Sequence, residues 1–300
     1  MKVLNFGSFN LDNVYTLDHI VTGGETIQSS RLETFCGGKG LNQSVALSRA
    51  GINVWHAGII GQDGKILLDT CKNSGVNTDL IRQLPVKGGH TVIQVDKNGQ
   101  NSIILYGGTN LMHTKEYINE VLKNFGKGDY LILQNEINLL DYIIDSAYEK
   151  GMFIELNPSP FNLQIRKCNL SKIHLFMMNE IEGQQFTGSN VPDEILENMR
   201  INFPNAAVVL TLGNHGAYYY DGRQKIFQGI FKVNAVDTTA AGDTFTGFFM
   251  ASVINGKTPE EALRIASKAA SIAVTRPGAV PSIPTICLLY TSPSPRDRSV

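Results

Sequence analysis

The chain has 300 residues, of which 42 % are hydrophobic and 18 % are charged, and its formal net charge is −1. This composition is typical of a globular protein and gives no electrostatic reason to expect a nucleic acid or a membrane as partner. Four cysteines (Cys36, Cys71, Cys168, Cys287) are too scattered for a zinc site or a disulfide framework, so we expect a cytoplasmic protein that binds small molecules.

Short apolar runs alternate with amphipathic segments along most of the chain. The first run is too short for a signal peptide, and no run approaches the ~20 residues of a membrane span. The predicted strands are Val3–Gly7, Val54–Ile60, Tyr130–Gln134, Phe153–Leu156, Leu175–Met178 and Ala207–Leu212. The predicted helices are Leu41–Ala50, Lys65–Asn73, Lys115–Lys123, Leu139–Lys150, Asp193–Ile201, Ala241–Asn255 and Pro259–Thr275. The alternation favours an α/β fold with a doubly wound, mainly parallel sheet flanked by helices.

Two pairs of segments interrupt the alternation and predict antiparallel strands. They are Val14–Val21 with Glu25–Phe35, and His90–Val95 with Ser102–Tyr106. The second pair turns at Asn98-Gly99, a sequence that favours a tight hairpin. We therefore expect a small β-sheet lid, built from about residues 14–35 and 90–106, over one end of the main sheet. Such lids exclude water from the reaction that they cover.

The carboxyl-terminal segment from Cys287 to Val300 differs in character from the rest of the chain. Its beginning resembles the in-frame translation of a transposase sequencing adapter. We expect residues 287–300 not to be native and a single domain to occupy residues 1–286. A disordered tail rich in Pro, Ser and Arg is the alternative.

The segment from Asp237 to Phe245 is the most informative part of the sequence. An apparent β-type run, Ile230–Val236, is joined through small residues to a long apolar helix that begins at Ala241 or Gly242. Such a helix start presents N–H groups and a positive dipole end, which suit a phosphate. Asp243, in the first turn, would then be a base beside a phosphate, as phosphoryl transfer to a hydroxyl requires. The alternative is an acid that only compensates the helix dipole.

A second motif, Gly37-Gly38-Lys39-Gly40-Leu41-Asn42-Gln43, places glycines, a lysine and an amide at the start of another helix. Glycines let the backbone pass close to a ligand, and Lys39 and Asn42 add polar groups at the same point. The alternative is a flexible glycine turn that contains a lysine. The motif is not a Walker A loop, because no G-x-x-x-x-G-K-[ST] pattern occurs in the chain.

These and further motifs, in this order, resemble the ribokinase (PfkB) family of carbohydrate kinases, and the resemblance extends from Asn5 to about Thr285. The motifs are Gly7-Ser8-Phe9-Asn10-Leu11-Asp12, Gly37 to Gln43, Leu156-Asn157-Pro158-Ser159-Pro160, Asn179-Glu180-Ile181-Glu182, Thr211-Leu212-Gly213-Asn214-His215-Gly216, Asp237 to Phe245, and Ala273 to Ser282.

The resemblance implies a set of sugar-binding residues: Asn10, Asp12, Gly38, Lys39, Asn42, Glu136 and Asp243. Carboxylates and amides can recognise several hydroxyls by hydrogen bonds. By themselves, Asn10 and Asp12 are also common in a turn after a strand, and Glu136 is also common as a solvated loop residue.

The resemblance also implies a catalytic group and a nucleotide site. Asp243 would accept the proton of the attacking hydroxyl, and the N–H groups at Ala241 and Gly242 would stabilise the transferring phosphoryl group. The implied ATP-binding residues are Asn179, Thr211, Gly213, Gly216 and Gly242. Glu182, with Asn179, would hold Mg²⁺ through water. Ser267 stands where many relatives have an asparagine or histidine near the adenine, which leaves the preferred base open.

Potassium is a further implied cofactor, bound largely through backbone carbonyls around Asp237, Thr239, Ala273, Arg276, Gly278 and Ser282. A homodimer formed through the lids is the implied assembly. The implied reaction transfers the γ-phosphoryl group of ATP to a sugar, with D-ribose preferred and ribose 5-phosphate as product. Fructose, deoxyribose or a nucleoside are alternative acceptors, and a non-catalytic sugar-sensing protein is an alternative of another class.

Overall fold

The structure is a computed structural model that describes residues 1–291. Its strands are β1 Val3–Phe6, β2 Asn10–Thr16, β3 Arg31–Gly37, β4 Val54–Ile60, β5 Asn77–Gln83, β6 His90–Val95, β7 Asn101–Tyr106, β8 Tyr130–Gln134, β9 Phe153–Asn157, β10 Leu175–Asn179, β11 Ala207–Thr211, β12 Ala217–Tyr220 and β13 Lys225–Gln228. Its α-helices are α1 Lys39–Arg49, α2 Lys65–Asn73, α3 Lys115–Leu122, α4 Leu140–Glu149, α5 Glu180–Thr187, α6 Pro192–Asn202, α7 Ala241–Ile254, α8 Pro259–Ala273 and α9 Ile286–Thr291.

The main sheet has nine strands in the order β13-β12-β11-β10-β9-β8-β1-β4-β5. All neighbours from β11 to β5 pair in parallel, and only β12 and β13 are antiparallel additions at one edge. From β1 the chain builds outward in both directions, first through β4 and β5 and then through β8 to β11. The predicted doubly wound, mainly parallel sheet is confirmed.

Helices cover both faces of this sheet, and the strand pleat divides the core into two layers. On β8, Leu131 and Leu133 lie in the layer with α3, α4 and α6, whereas Ile132 lies in the layer with α1, α7 and α8. Because alternate residues of a strand point to opposite faces, strands buried on both faces are apolar throughout. The sequence signal of these strands was strong for that reason.

The lid is a separate four-stranded sheet in the order β3-β2-β6-β7. The strands of each predicted pair are antiparallel to each other, but β2 and β6 join the two pairs in parallel. The first pair is displaced from its predicted position, since it begins at Asn10 rather than Val14 and ends at Gly37 rather than Phe35. This displacement places Asn10 on an inner lid strand and not in a turn.

Some elements differ from the sequence predictions. The run Ile230–Val236 is not a strand; most of it is exposed and has no regular secondary structure. Strands β5 and β13 and the short helices α5 and α9 were not predicted. Within residues 1–291, no helix combines the length and the apolar character that crossing a bilayer requires. Of the segment predicted not to be native, residues 292–300 lie outside the described residues.

Candidate active site

Helix α7 begins immediately after a residue in an unusual conformation. Ala240 has φ 57°, in the left-handed region, and the N–H of Ala241 is bonded to the carbonyl of Thr238 at 3.2 Å. No side chain caps this helix start. A Cβ added to Gly242 would meet no atom within 4 Å, so the space in front of the first turn is open. An uncapped helix start facing open space is suited to an anion.

Asp243, in the first turn of α7, is 7 % exposed and is held by two amides of α1. The side chain of Asn42 donates to Oδ2 at 3.0 Å, and that of Gln43 donates to Oδ1 at 3.0 Å. Two neutral amide donors hold this carboxylate without forming an ion pair with it. Asp243 is therefore fixed in direction.

Two cavities meet at the start of α7. One has a volume of about 340 Å³ and extends toward β12 and α8, and the other has a volume of about 250 Å³ and extends toward α1 and α5. Four residues line both cavities: Thr211, Thr238, Ala241 and Gly242. Asp243 lines the smaller one, which we call the phosphate cavity. The helix start is therefore the junction between a larger, apolar space and a smaller, polar one.

The larger cavity contains most of the predicted nucleotide-binding residues. Thr211 and Gly242 line it, as do Gly213 (φ 53°) and Gly216 (φ 114°), whose left-handed conformations favour glycine. Its other walls are mainly apolar and include Ile230, Phe231, Val233, Ala235, Phe245, Ala270 and Val274, with Ser267 among the few polar ones. The apolar run that the sequence analysis read as a strand forms part of this wall.

The phosphate cavity contains the predicted magnesium residues, Asn179 and Glu182, together with Lys39. Asn179 caps helix α5 through the N–H groups of Ile181 and Glu182, and Glu182 accepts from the N–H of Asn179 at 2.8 Å, which completes a capping box. Both residues thus have a structural role as well.

The donor set of this cavity suits Mg²⁺. One carboxylate oxygen of Glu182 serves the cap, which leaves the other for metal-bound water. Within the described residues, no group of three or more His, Cys, Asp or Glu side chains is arranged to hold a metal ion directly. Mg²⁺ that keeps its water and binds phosphate oxygens needs no such group.

The lid brings two predicted sugar residues to the start of α1. Asn10 is 4 % exposed and lies opposite Gly37 in the register of β2 and β3. Asp12 accepts from the hydroxyl of Thr91 at 2.7 Å, and burial raises its pKa although this hydrogen bond opposes the shift. A Cβ on Gly37 would lie 1.9 Å from the Asp12 carboxylate, so a larger residue there would displace that carboxylate.

Glu136 is not a solvated loop residue. Its carboxylate accepts from the backbone N–H of Lys39 at 3.0 Å and from the hydroxyl of Ser8, which attaches it to the first residue of α1. Burial raises the pKa of Glu136, and the charge of Lys39 opposes this rise. For Lys39, burial disfavours the charged form, but the charges of Asp243, Glu136 and Glu182 outweigh it and raise its pKa.

The start of α1 therefore joins the residues that the sequence analysis assigned to the sugar. Gly38, in a left-handed conformation (φ 95°), precedes Lys39 and lies against the backbone of Asn10, and Asn42 one turn later contacts Asp243. We call Asn10, Asp12, Gly38, Lys39, Asn42 and Glu136 the acceptor side.

The predicted potassium residues lie on two loops that contact each other. Asp237 accepts from the N–H and hydroxyl of Thr239 at 2.8 and 2.6 Å, and from the N–H of Gly278 at 2.8 Å. Partial burial favours the neutral form of Asp237, but these hydrogen bonds outweigh burial and lower its pKa. The N–H of Arg276 is bonded to the carbonyl of Ala273, and Ser282 is fully buried in the same loop region. The loops that would provide the carbonyl ligands are thus joined.

Sequence reasoning missed the residues that hold the site residues in place. The Asn110 amide donates to Asn10 Oδ1 at 2.9 Å, Thr91 holds Asp12, and Gln43 holds Asp243. Asn110 and Thr91 come from segments distant in sequence, so no local pattern indicates them. Gln43 is next to a residue that was identified, but its role depends on the packing of α1 against α7.

Comparison with known proteins agrees with this geometry. Residues 2–286 match the family described as pfkB family carbohydrate kinase. The chain belongs to that family. This pfkB family member is therefore a phosphotransferase that acts on a sugar hydroxyl, and its donor is ATP.

Among curated relatives, a ribokinase of Haemophilus influenzae is 33 % identical over 293 residues, which cover 93 % of this chain and 94 % of the relative. A deoxyribokinase of Salmonella typhi is 29 % identical over 299 residues, covering 95 % and 96 %. Among solved structures, Arabidopsis thaliana ribokinase complexed with ribose and ATP is similar, with a TM-score of 0.85, 29 % identity, and coverage of 96 % of this chain and 97 % of that one.

Proposed function

We propose that this pfkB family enzyme is a ribokinase, which transfers the γ-phosphoryl group of ATP to D-ribose and forms D-ribose 5-phosphate and ADP. The observation that carries the proposal is the position of Asp243. It lies where the two cavities meet, and it is bonded to Asn42 of the acceptor side. Similarity to the ribokinases supports ribose as the acceptor.

In the proposed reaction the adenosine portion of ATP occupies the larger cavity, and its phosphates extend over the start of α7 into the phosphate cavity. The sugar lies on the acceptor side with its 5-hydroxyl at Asp243. The carboxylate accepts the hydroxyl proton as the oxygen attacks the γ-phosphorus, and the bond to the β-phosphate oxygen breaks so that ADP leaves. The N–H groups at Ala241 and Gly242 stabilise the charge of the transferring group.

Lys39 has a position that suits this transfer. It lines the phosphate cavity, and its charge acts on both Asp243 and Glu136. A cation between the carboxylates and the phosphates stabilises the negative charge of both ligands. Mg²⁺, held through water by Glu182 and Asn179, would neutralise phosphate charge when bound.

Potassium is proposed as an activator on the loops of Asp237 and Gly278. Those loops are joined to each other, and Asp237 precedes the start of α7 by a few residues. A cation bound to their carbonyls would hold the start of α7 in position. This part of the proposal predicts that K⁺ raises turnover and that an equal concentration of Li⁺ does not replace it.

The acceptor is tested by ADP release with ribose, 2-deoxyribose, fructose and nucleosides, with and without K⁺. We expect the highest kcat/KM with ribose. The similarity to a deoxyribokinase makes 2-deoxyribose the second candidate. A higher value for another sugar or a nucleoside would replace ribose as the substrate, and sugar binding without ADP release would favour a sugar-sensing protein.

A homodimer through the lids is proposed because β7, an edge strand of the lid, exposes Ile103, Ile104, Leu105 and Tyr106, each at 49 % or more. Exposed apolar edge strands are prone to pair with a second chain. Light scattering tests this: Ile104→Lys should convert dimers to monomers, and an unchanged mass would contradict the lid interface. Residues 1–291 contain no disulfide bond, and we propose a cytoplasmic location.

A further inference from the structure

Asp243 is the end of a continuous chain of buried hydrogen bonds that crosses the layer between α1 and the main sheet. Beyond Gln43, the chain includes Gln134 on β8, Asn5 on β1, Ser44 on α1 and His56 on β4. Gln134 is 1 % exposed, and the other members are fully buried: Gln43, Asn5, Ser44 and His56. The side-chain amide of an Asn or Gln can adopt two orientations that exchange its oxygen and its nitrogen. Only one orientation of Gln43 presents a donor to Asp243.

The direction is set at the far end by His56. Its Nε2 lies 3.2 Å from the carbonyl of Gly7, and its Nδ1 lies 2.7 Å from the hydroxyl of Ser44. Complete burial lowers the pKa of His56 to about 3, so the ring is neutral and carries one proton. A carbonyl can only accept, which places the proton on Nε2 and makes Nδ1 an acceptor. Ser44 must then donate its single proton to His56.

Because the Ser44 proton is used, its oxygen accepts from Asn5. The Asn5 amide nitrogen is 2.8 Å from that oxygen and 2.7 Å from the carbonyl of Gly40, another group that can only accept. Both contacts require the nitrogen of Asn5 on this side. The Asn5 carbonyl oxygen must therefore face β8.

Gln134 transmits this direction to the active site. Its nitrogen donates to Asn5 Oδ1 at 3.0 Å and to Gln43 Oε1 at 2.6 Å, so both of its protons are used. With its oxygen bonded to Gln134, Gln43 presents its nitrogen to Asp243 Oδ1 at 3.0 Å. The opposite orientation of the Gln43 amide would place its oxygen against the carboxylate oxygen of Asp243.

We propose that Gln134 is a positioning residue for phosphoryl transfer, which acts on the base Asp243 only through the direction of the Gln43 amide. The inference rests on the proposed role of Asp243. The charges of Lys39 and Glu136 act on Asp243, and neither residue is part of the series of hydrogen bonds from His56 to Asp243. The side chain of Gln134 lies one residue further from the reacting atoms than Gln43, with no charge to contribute.

The test is a double-mutant cycle measured by ADP release, with the sugar that the parent enzyme turns over fastest. The variants are Gln43→Met, Gln134→Met and the double variant; methionine matches the length of glutamine and adapts to irregular space. We expect kcat to fall about tenfold in each single variant, because Gln43→Met removes a donor from the Asp243 carboxylate and Gln134→Met removes the donor that holds the oxygen of Gln43 in place. The sugar KM should change less than about threefold. Gln134→Met should have no further effect in the Gln43→Met background.

The control is Ser252→Ala, which removes a buried hydrogen bond to Phe248 on the same helix, far from the site. It should lower the melting temperature and leave kcat unchanged. If Gln134→Met lowers the melting temperature but not kcat, or if the two substitutions multiply in kcat, the positioning role is wrong. Gln134→Glu, which replaces the donor by an acceptor, provides the same cycle if Gln134→Met does not fold.

A second readout does not depend on the substrate. In crystal structures, Gln134→Met should show the Asp243 carboxylate rotated away from Gln43, whereas Ser252→Ala should not. An unmoved carboxylate would contradict the inference. Failure of the parent enzyme to phosphorylate any sugar would contradict the proposed function instead, and the crystallographic comparison would still decide the positioning role.

Discussion

The acceptor side and the larger cavity are built in different ways. On the acceptor side, polar side chains are held by other side chains: Asp12 by Thr91 and Asn10 by Asn110. The larger cavity is formed by glycine turns and apolar walls. Hydrogen bonds discriminate between ligands more sharply than apolar contact does. We therefore expect single polar substitutions to damage sugar use severely, and wall substitutions to affect ATP use mildly.

The largest effect is expected at the junction of the two halves. Asp243→Asn removes the proton acceptor and keeps the size of the side chain, and one of the two amide donors of Asn42 and Gln43 loses its acceptor, so kcat should fall by a factor on the order of 10²–10⁴. Initial rates of ADP release measure it, and circular dichroism confirms folding. Turnover within a few-fold of the parent value would show that Asp243 is not the base.

The next effect tests the acceptor side alone. Asp12→Asn replaces a partly buried carboxylate by an amide beside Thr91, and we expect the KM for ribose to rise about 10–100-fold with a smaller change in kcat. The exposed Asp79 on β5 provides a matched control, because Asp79→Asn should change neither parameter. Equal effects on the KM of ATP and ribose would contradict the separation of the two halves.

Asp12 also predicts a pH dependence. Its pKa is raised by burial, so it takes up a proton at a higher pH than an exposed aspartate does. The protonated form loses its charged acceptor oxygens, and the KM for ribose should therefore rise as the pH falls toward that raised value. Measured from pH 8 to pH 5, the rise should be absent in Asp12→Asn. A rise of the same size in the variant would assign it to another group.

One carboxyl outside the site, that of Glu155, lacks the hydrogen bonds that hold the carboxylates of the acceptor side. Glu155 on β9 is fully buried, and it faces the same layer as Gln134, because it lies opposite Ile132 in the parallel register. Neither oxygen has a partner in normal hydrogen-bond geometry among the described residues. Burial raises the pKa of Glu155 well above 4.5, although the backbone of Leu133 opposes the shift.

This acid should destabilise the fold at neutral pH. Above pH 4.5 the unfolded chain loses the Glu155 proton while the folded protein retains it, so stability decreases as the pH rises. Glu155→Leu should increase the free energy of unfolding by about 1–3 kcal/mol at pH 8, and by less at pH 5. Urea denaturation at both pH values measures it. Glu155→Gln should remove the same pH dependence with a smaller gain, and no pH-dependent gain in either variant would contradict a buried neutral acid.

The smallest effect is expected at the cavity wall. Val233 is 44 % exposed, so Val233→Ala removes only part of an apolar contact with the nucleotide, and the KM for ATP should rise about two- to fivefold. The KM for ribose should not change. A tenfold or larger effect would show that the wall recognises the nucleotide as sharply as the acceptor side recognises the sugar.

Much of the fold and the site was predictable because the signals are local. β4, β8 and α2 have the predicted bounds, since each is a continuous apolar or amphipathic run between turns. The helix start at Ala241 with Asp243 in its first turn is equally local. The run Ile230–Val236 was misread because an apolar segment that lines a cavity has the same composition as a strand.

By itself the sequence determined most element types, the family and the candidate site residues, because periodicity, turns and motifs are properties of neighbouring residues. Only the tertiary structure decided how those residues are held. The pairing of β2 with β6 and the chain from His56 through Gln134 to Asp243 join segments far apart in sequence. Such contacts depend on how the packed layers align, which no local pattern encodes.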